Sequence, residues 1–293
     1  MTRAGALLFV VLALGCNKPT PAKKSGPAAR VVSLSPSTTE AAFAVGAGDK
    51  VVGRSRYCSY PAEVTKLPQV GGYVDPSFEA ILDLSPDLVI GARGPAGAEI
   101  TKRLESRGIV TFFPETESFA DIDAMILGVG ERTGTSARAK EVVAEIATKV
   151  KAIADAVAGL PKVRVMLVFG LEPLSVAGPR GFPDEMIRRA GGINAMSEGT
   201  AYPQIGIERV IAIDPDVVVN AAMAEARGKD RIGKDKPGWS QVRAVSQGRV
   251  VRLEEESVLR PGPRIAEGLA VLARAIHPEA GGLGGPPPRE KHP

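Results

Sequence analysis

Two stretches of this 293-residue chain spell out the same unit. Phe78-Glu-Ala-Ile-Leu-Asp-Leu-Ser-Pro-Asp-Leu-Val-Ile-Gly-Ala92 aligns without a gap with Ile207-Glu-Arg-Val-Ile-Ala-Ile-Asp-Pro-Asp-Val-Val-Val-Asn-Ala221. Glu79 falls on Glu208, Pro86-Asp87 on Pro215-Asp216, Val89 on Val218 and Ala92 on Ala221. Each copy reads as a short helix, a Pro-Asp stop and a buried strand. The same offset pairs Tyr73 with Tyr202, each six residues before its glutamate. A chain that repeats such a unit must bury two sheets, so it is expected to form two lobes of one design.

The surrounding pattern agrees. Strand signals at Arg30–Leu34, Val51–Val52, Leu88–Ile90 and Val110–Phe113 alternate with helix signals from Ser37, at Phe78–Leu84 and at Ala98–Ser106. The order resumes with strand Val163–Phe169, helices Asp184–Ala190 and Ile207–Ile213, strands Val217–Val219 and Arg249–Leu253, and helix Arg264–Ile276. Such alternation predicts an α/β fold of two Rossmann-like lobes with mainly parallel sheets. Between them, Ala137–Leu160 lacks glycine and proline until Gly159, and Val142, Val143, Ile146, Val150, Ile153 and Val157 form one apolar stripe. A helix of this length runs roughly 35 Å, about the width of a small domain. It is expected to join the lobes as a rigid strut that resists hinge closure, with a ligand cleft between them. The lobes are placed at 30–136 and 161–280, with the linking helix at 137–160.

The ends read differently. Residues 1–15 have the form of a signal peptide, with Arg3 before a short apolar run that finishes Leu12-Ala-Leu-Gly15. Cys16 then stands where a lipoprotein is processed and lipidated. Residues 16–29 form a Pro- and Lys-containing flexible tether, and 281–293 a Pro-rich disordered tail. The chain carries 37 basic and 33 acidic side chains. Setting aside Arg3, Lys18, Lys23, Lys24, Arg289, Lys291 and Glu290 at the ends leaves 31 bases against 32 acids, so the body provides no phosphate-tracking surface and no nucleic-acid partner is expected. Cys58 is the only other cysteine and reads as a small buried hydrophobe. The protein is expected in the periplasm as a monomer, held to the envelope membrane by its N-terminal lipid.

In parallel α/β sheets ligands gather at the carboxyl ends of strands, and Tyr73 and Tyr202 lie in such loops. They are expected to face each other across the cleft. Glu79 and Glu208 fall in the first turn of the next helices, where a carboxylate complements the macrodipole. Their equivalence in both lobes points further, to one partner that touches both.

Arg30-Val-Val-Ser-Leu-Ser-Pro-Ser-Thr-Thr-Glu40, Arg54-Ser-Arg-Tyr-Cys-Ser-Tyr-Pro61, Leu67-Pro-Gln-Val-Gly-Gly72 and the Phe78–Ile90 unit resemble the bacterial substrate-binding proteins whose lobes share one backbone helix. That family delivers cobalamin, ferric siderophores or haem to ABC importers, and the resemblance runs from about Arg30 to His277. It is most similar to the cobalamin (vitamin B12) binding members, through Tyr57-Cys-Ser-Tyr-Pro61 and Tyr202-Pro-Gln204. The resemblance implies that Tyr57, Tyr73 and Tyr202 flank the ligand, that Arg260 reaches it, and that Glu256 replaces a nearby acid. It also implies that Glu79 and Glu208 pair with arginines of an ABC permease, which works with its ATPase. Ala92 and Ser175 stand where cobalamin-binding members carry aromatic residues, which reduces the aromatic wall. Trp239 reads as a packing residue. Haem held by a tyrosine, with Tyr57 first, or a ferric siderophore held by Arg54, Arg56 or Arg180 are the alternative cargoes, and a protein-binding scaffold is a further one.

Catalytic patterns are not found. His277 and His292 are both near the C-terminus, which leaves no other histidine in the lobes for a bare metal site or a nucleophilic triad. Neither a Gly-x-Ser-x-Gly elbow nor a Walker A loop occurs, and Gly94-Pro-Ala-Gly97 reads as a turn. The expectation is a non-enzymatic binding protein without a resident cofactor or metal, whose ligand is cobalamin or another metal chelate.

Overall fold

The computed structural model describes residues 26–93, 97–222, 232–253, 260–280 and 283. The signal peptide, Cys16, most of the tether, Glu256 and nearly all of the tail lie outside the described residues. The first lobe contains β1 (Val31–Ser33), α1 (Pro36–Ala44), β2 (Val51–Arg54), α2 (Phe78–Asp83), β3 (Leu88–Ile90), α3 (Gly97–Glu105), β4 (Val110–Phe112) and α4 (Phe119–Thr133). Its sheet is wholly parallel, in the order β2-β1-β3-β4. Covered on both faces, β1 and β3 are built from residues buried throughout, as parallel strands require.

α5 (Ser136–Val157) leads into the second lobe. There follow β5 (Val163–Leu171), β6 (Leu174–Val176), α6 (Phe182–Arg189), β7 (Gly192–Asn194), α7 (Ile207–Ile213), β8 (Val217–Asn220), α8 (Arg243–Ser246), β9 (Val250–Arg252) and α9 (Ile265–Ile276). The second sheet runs β6-β5-β8-β9 with β7 on the first half of β5, and β6 is antiparallel to β5. The parallel order β7-β5-β8-β9 of the second lobe thus repeats β2-β1-β3-β4 of the first, and only the antiparallel β6 is added at that edge. α4 is also additional to the sequence reading. It is capped at Ser118, whose Oγ accepts from the Asp121 N–H, and it ends at Gly134 in the left-handed region.

The repeated unit holds at atomic detail. Ser85 and Asp214, which align in the two copies, are both non-glycine residues with positive φ, 48° and 45°. The Asp87 carboxylate accepts from the N–H groups of Ala29 and Arg30, and the Arg30 guanidinium donates to the Leu84 carbonyl. In the second lobe Asp216 accepts from the Arg164 N–H, and Arg164 donates to the carbonyls of Ile213 and Asp214. In each lobe an arginine at the start of the central strand satisfies the orphaned carbonyls of the helix end, and the Pro-Asp acid returns a charge-assisted bond.

The strut buries Ala139, Val142, Ile146, Val150, Ile153 and Val157. It packs on α4 of one lobe and α9 of the other. One continuous apolar cluster runs from β1, α1 and α4 through this stripe to β5, α6 and α9. The lobes thus share a core, which resists shear as well as bending.

Candidate functional site

The carboxyl ends of the strands put the tyrosines on one face of the molecule. The chain has four, Tyr57, Tyr60, Tyr73 and Tyr202, and all four sit in loops at this face. Tyr57 and Tyr60 follow β2 and are half exposed. A β-carbon built on Gly72 would stand 3.1 Å from the Tyr57 ring edge, so Tyr57 packs beside the residue preceding Tyr73. The Arg56 guanidinium lies 5.8 Å from the Tyr57 ring centre and is paired with Asp75 at 2.8 Å. Tyr73, partly buried, donates its hydroxyl to the Arg93 carbonyl at 2.6 Å, which ties it to the loop after β3.

Tyr202 belongs to the second lobe, where its ring stands 6.1 Å from that of Phe169 on β5. Its hydroxyl crosses the gap between the lobes and donates to Glu117 Oε2 of the first lobe at 2.7 Å. Burial pushes the Tyr202 phenol up, and the Glu117 carboxylate pushes it further. The Tyr73 phenol is also raised, first by burial and then by the charge of Glu117. Of the two paired tyrosines, Tyr202 is thus bonded to the other lobe, while Tyr73 is bonded within its own.

Arg260 is placed differently from a group extended into an open cleft. Its Nη1 donates to Glu40 Oε1 at 2.9 Å, and its side chain is 15% exposed. Arg264 joins the same carboxylate through Nε and Nη2 at 2.9 and 2.8 Å, which raises its guanidinium, and lies 4.0 Å over the Tyr60 ring. This cluster ties α1 to the segment before α9, across the lobe junction. A second tie runs from the Phe119 N–H to Glu185 Oε2 at 3.1 Å, with Phe119 set between Phe182 and Arg189.

Glu79 and Glu208 stand in the first turns of α2 and α7 and are both exposed, Glu79 at 80% with Arg103 3.8 Å away. Ala92 donates its N–H to Ser35 Oγ, and Ser175 lies on β6 with its hydroxyl on the Pro173 carbonyl. Trp239 is buried in the second lobe's own apolar cluster. Cys58 is buried, accepts from Thr39 Oγ1, and has its thiol raised by burial. Among the described residues there is no group of three or more His, Cys, Asp or Glu arranged to hold a metal ion, and no helix long and apolar enough to cross a membrane.

Glu117, Glu40, Arg264 and Phe169 are the site residues that sequence reasoning misses. For Glu117 a signal exists: Pro114-Glu-Thr-Glu117 follows a strand of the parallel sheet. For Glu40 it is a lone acid in an otherwise neutral helix start, Ser37-Thr-Thr-Glu-Ala-Ala-Phe43.

A two-lobed α/β body on a shared helix, with an aromatic cleft at the strand ends, defines a class of solute receptor. Residues 31–257 match the periplasmic binding protein family, and the chain belongs to it. It is 31% identical over 257 residues to YvrC of Bacillus subtilis (strain 168), an ABC transporter substrate-binding lipoprotein, covering 85% of this chain and 80% of that one. It is 33% identical over 258 residues to a cobalamin-binding protein of Halobacterium salinarum, covering 85% and 69%. Among solved structures it is similar to the periplasmic haem-binding protein RhuT of Roseiflexus sp. RS-1 in apo form. The TM-score is 0.77 at 30% identity, covering 87% of this chain and all of that one. The protein is an ABC-type substrate-binding protein, of the class whose lobes share a helix.

Proposed function

We propose that this protein captures cobalamin or a related corrinoid and delivers it to an ABC permease. The observation that carries this reading is the set of tyrosines from both lobes in the loops at the strand ends, with the Tyr202 hydroxyl reaching across the lobe junction to Glu117. A tyrosine ring packs on a flat apolar macrocycle while its hydroxyl stays hydrogen-bonded. Similarity to the Halobacterium protein supports a corrinoid.

The basic side chains that an anionic ferric siderophore would need have protein acceptors. Arg54 is buried and donates to the carbonyls of Ser55, Cys58 and Thr65. Arg56 is paired with Asp75, and Arg180 donates to the Gly199 carbonyl. Haem remains the second reading, favoured by similarity to RhuT and by the half-exposed Tyr57, whose oxygen would be the axial ligand. Arg260 would meet the ligand from its place on Glu40, and Glu256 from the segment before it. Cys16 would carry the lipid that anchors the receptor, and its replacement by serine should abolish palmitate labelling.

Titrating the mature protein with cyanocobalamin, haemin and a ferric siderophore in a calorimeter tests the assignment. Saturable one-to-one binding of cyanocobalamin, tighter than that of haemin, is expected. Haemin binding with a Soret band that Tyr57→Phe abolishes would replace the corrinoid by haem. No binding of any chelate would leave only the scaffold.

A further inference from the structure

Glu117 is the carboxylate that the sequence did not single out, and its surroundings fix where it stands. It lies two residues before α4, whose first residue, Phe119, is held by the Glu185 carboxylate of the other lobe and flanked by Phe182 and Arg189. Ser118, between them, is engaged in capping the same helix. The backbone at Glu117 is therefore anchored at the lobe junction. Its side chain is exposed and reaches the Tyr202 hydroxyl. Arg93, whose carbonyl takes the Tyr73 hydroxyl, forms an ion pair with Glu115. Beside the Tyr202 phenol, at the lobe junction, the protein thus presents negative charge, bonded to that phenol.

We infer that Glu117 is a specificity-determining residue, which favours a planar chelate fringed with amides over one fringed with carboxylates. This rests on the chelate-receptor reading above. A carboxylate offers about four lone-pair positions, and Tyr202 uses one. A primary amide on the ligand edge can donate to those that remain. A ligand carboxylate at the same place meets a like charge, and such juxtaposition is a means of rejecting a near-identical ligand. The discrimination expected at a half-exposed site is on the order of tenfold.

The test uses two matched pairs: cyanocobalamin and its derivative with one side-chain amide hydrolysed to the acid, and haemin and its diamide. Dissociation constants are measured for the wild type, Glu117→Gln and Glu117→Lys. The wild type should prefer the amide member of whichever pair it binds. Glu117→Gln should bring the ratio towards one by strengthening binding of the acid, and Glu117→Lys should invert it. An absorbance titration of the tyrosines should show the Tyr202 phenol ionising at lower pH in Glu117→Gln, which checks the placement of the charge without any ligand. Binding in the wild type with a ratio that neither variant moves, or with both members strengthened equally, overturns the inference alone. If neither pair binds the wild type, the chelate-receptor reading falls and takes this inference with it.

Discussion

Glu40 offers the sharpest test of how the lobes are joined. Its carboxylate is 2% exposed and accepts three charge-assisted bonds, one from Arg260 and two from Arg264, whose side chains are 15% and 21% exposed. Glu40→Ala would leave two guanidinium groups facing each other in a partly dry junction. Breaking a buried ion pair from one side costs about 3–5 kcal/mol, because a stranded charge keeps its desolvation penalty. For a body of this size each kcal/mol moves the melting midpoint by roughly 2–4 °C, so a fall of roughly 6–20 °C is expected. Urea unfolding and scanning calorimetry at neutral pH would measure it. The exposed Arg138–Glu145 pair on α5 is the internal control, and Glu145→Ala should leave the midpoint where it is. Glu40→Gln, which keeps the shape and two of the acceptor positions, should lose less than Glu40→Ala. A loss below about 1 kcal/mol in Glu40→Ala would refute the view that this cluster ties the lobes.

Three further outcomes follow from the geometry. The Tyr202 phenol sits above its ordinary value of 10.0, so the folded state keeps a proton that the unfolded chain gives up. Stability should be level below about pH 10 and fall above it, and Tyr202→Phe should flatten that fall in alkaline urea titrations. An unchanged alkaline slope in the variant would count against the assignment. A β-carbon at Gly178 would overlap the Thr200 carbonyl oxygen and crowd Pro203, so Gly178→Ala must displace the loop that carries Tyr202. About 1–3 kcal/mol of stability should be lost together with ligand affinity, and affinity left intact would separate that loop from the site. Glu79→Ala with Glu208→Ala should leave ligand affinity unchanged while slowing docking and lowering transport, because rim charges chiefly set encounter rate and orientation. Collapse of ligand binding with normal docking would show that the two acids serve the cleft instead.

The elements that could be read from the chain are those whose signals are local. β3 at Leu88–Ile90 and α7 at Ile207–Ile213 coincide with their expected bounds, because β-branched runs and Pro-Asp stops lie within the same few residues. α4 carries its own cap at Ser118 and its own stop at Gly134, yet strand–helix alternation has no place for a second helix before the strut. β6 and β7, Leu174-Ser-Val176 and Gly192-Ile-Asn194, are no shorter than β3 but lack its unbroken apolar run. At the site, the tyrosines could be placed by the rule for strand ends. Their partners could not: Glu40 and Arg260 are 220 residues apart, and Glu117 and Tyr202 are 85 apart. Only the packing of one lobe against the other decides that those acids meet those donors.

That packing also decides how firmly each tie holds the lobes. The apolar core shared along α5 and the Glu40 cluster are buried, and the Glu185 bond to the Phe119 N–H lies beside packed rings. The Tyr202–Glu117 bond joins two exposed side chains. Being open to solvent, a bond of that kind is weak beside the buried Glu40 cluster. A ligand that bonds the free lone pairs of Glu117 would leave the Tyr202 bond, the strut and the buried ties to hold the lobes in place. With the frame set in this way, little conformational entropy would be lost on binding.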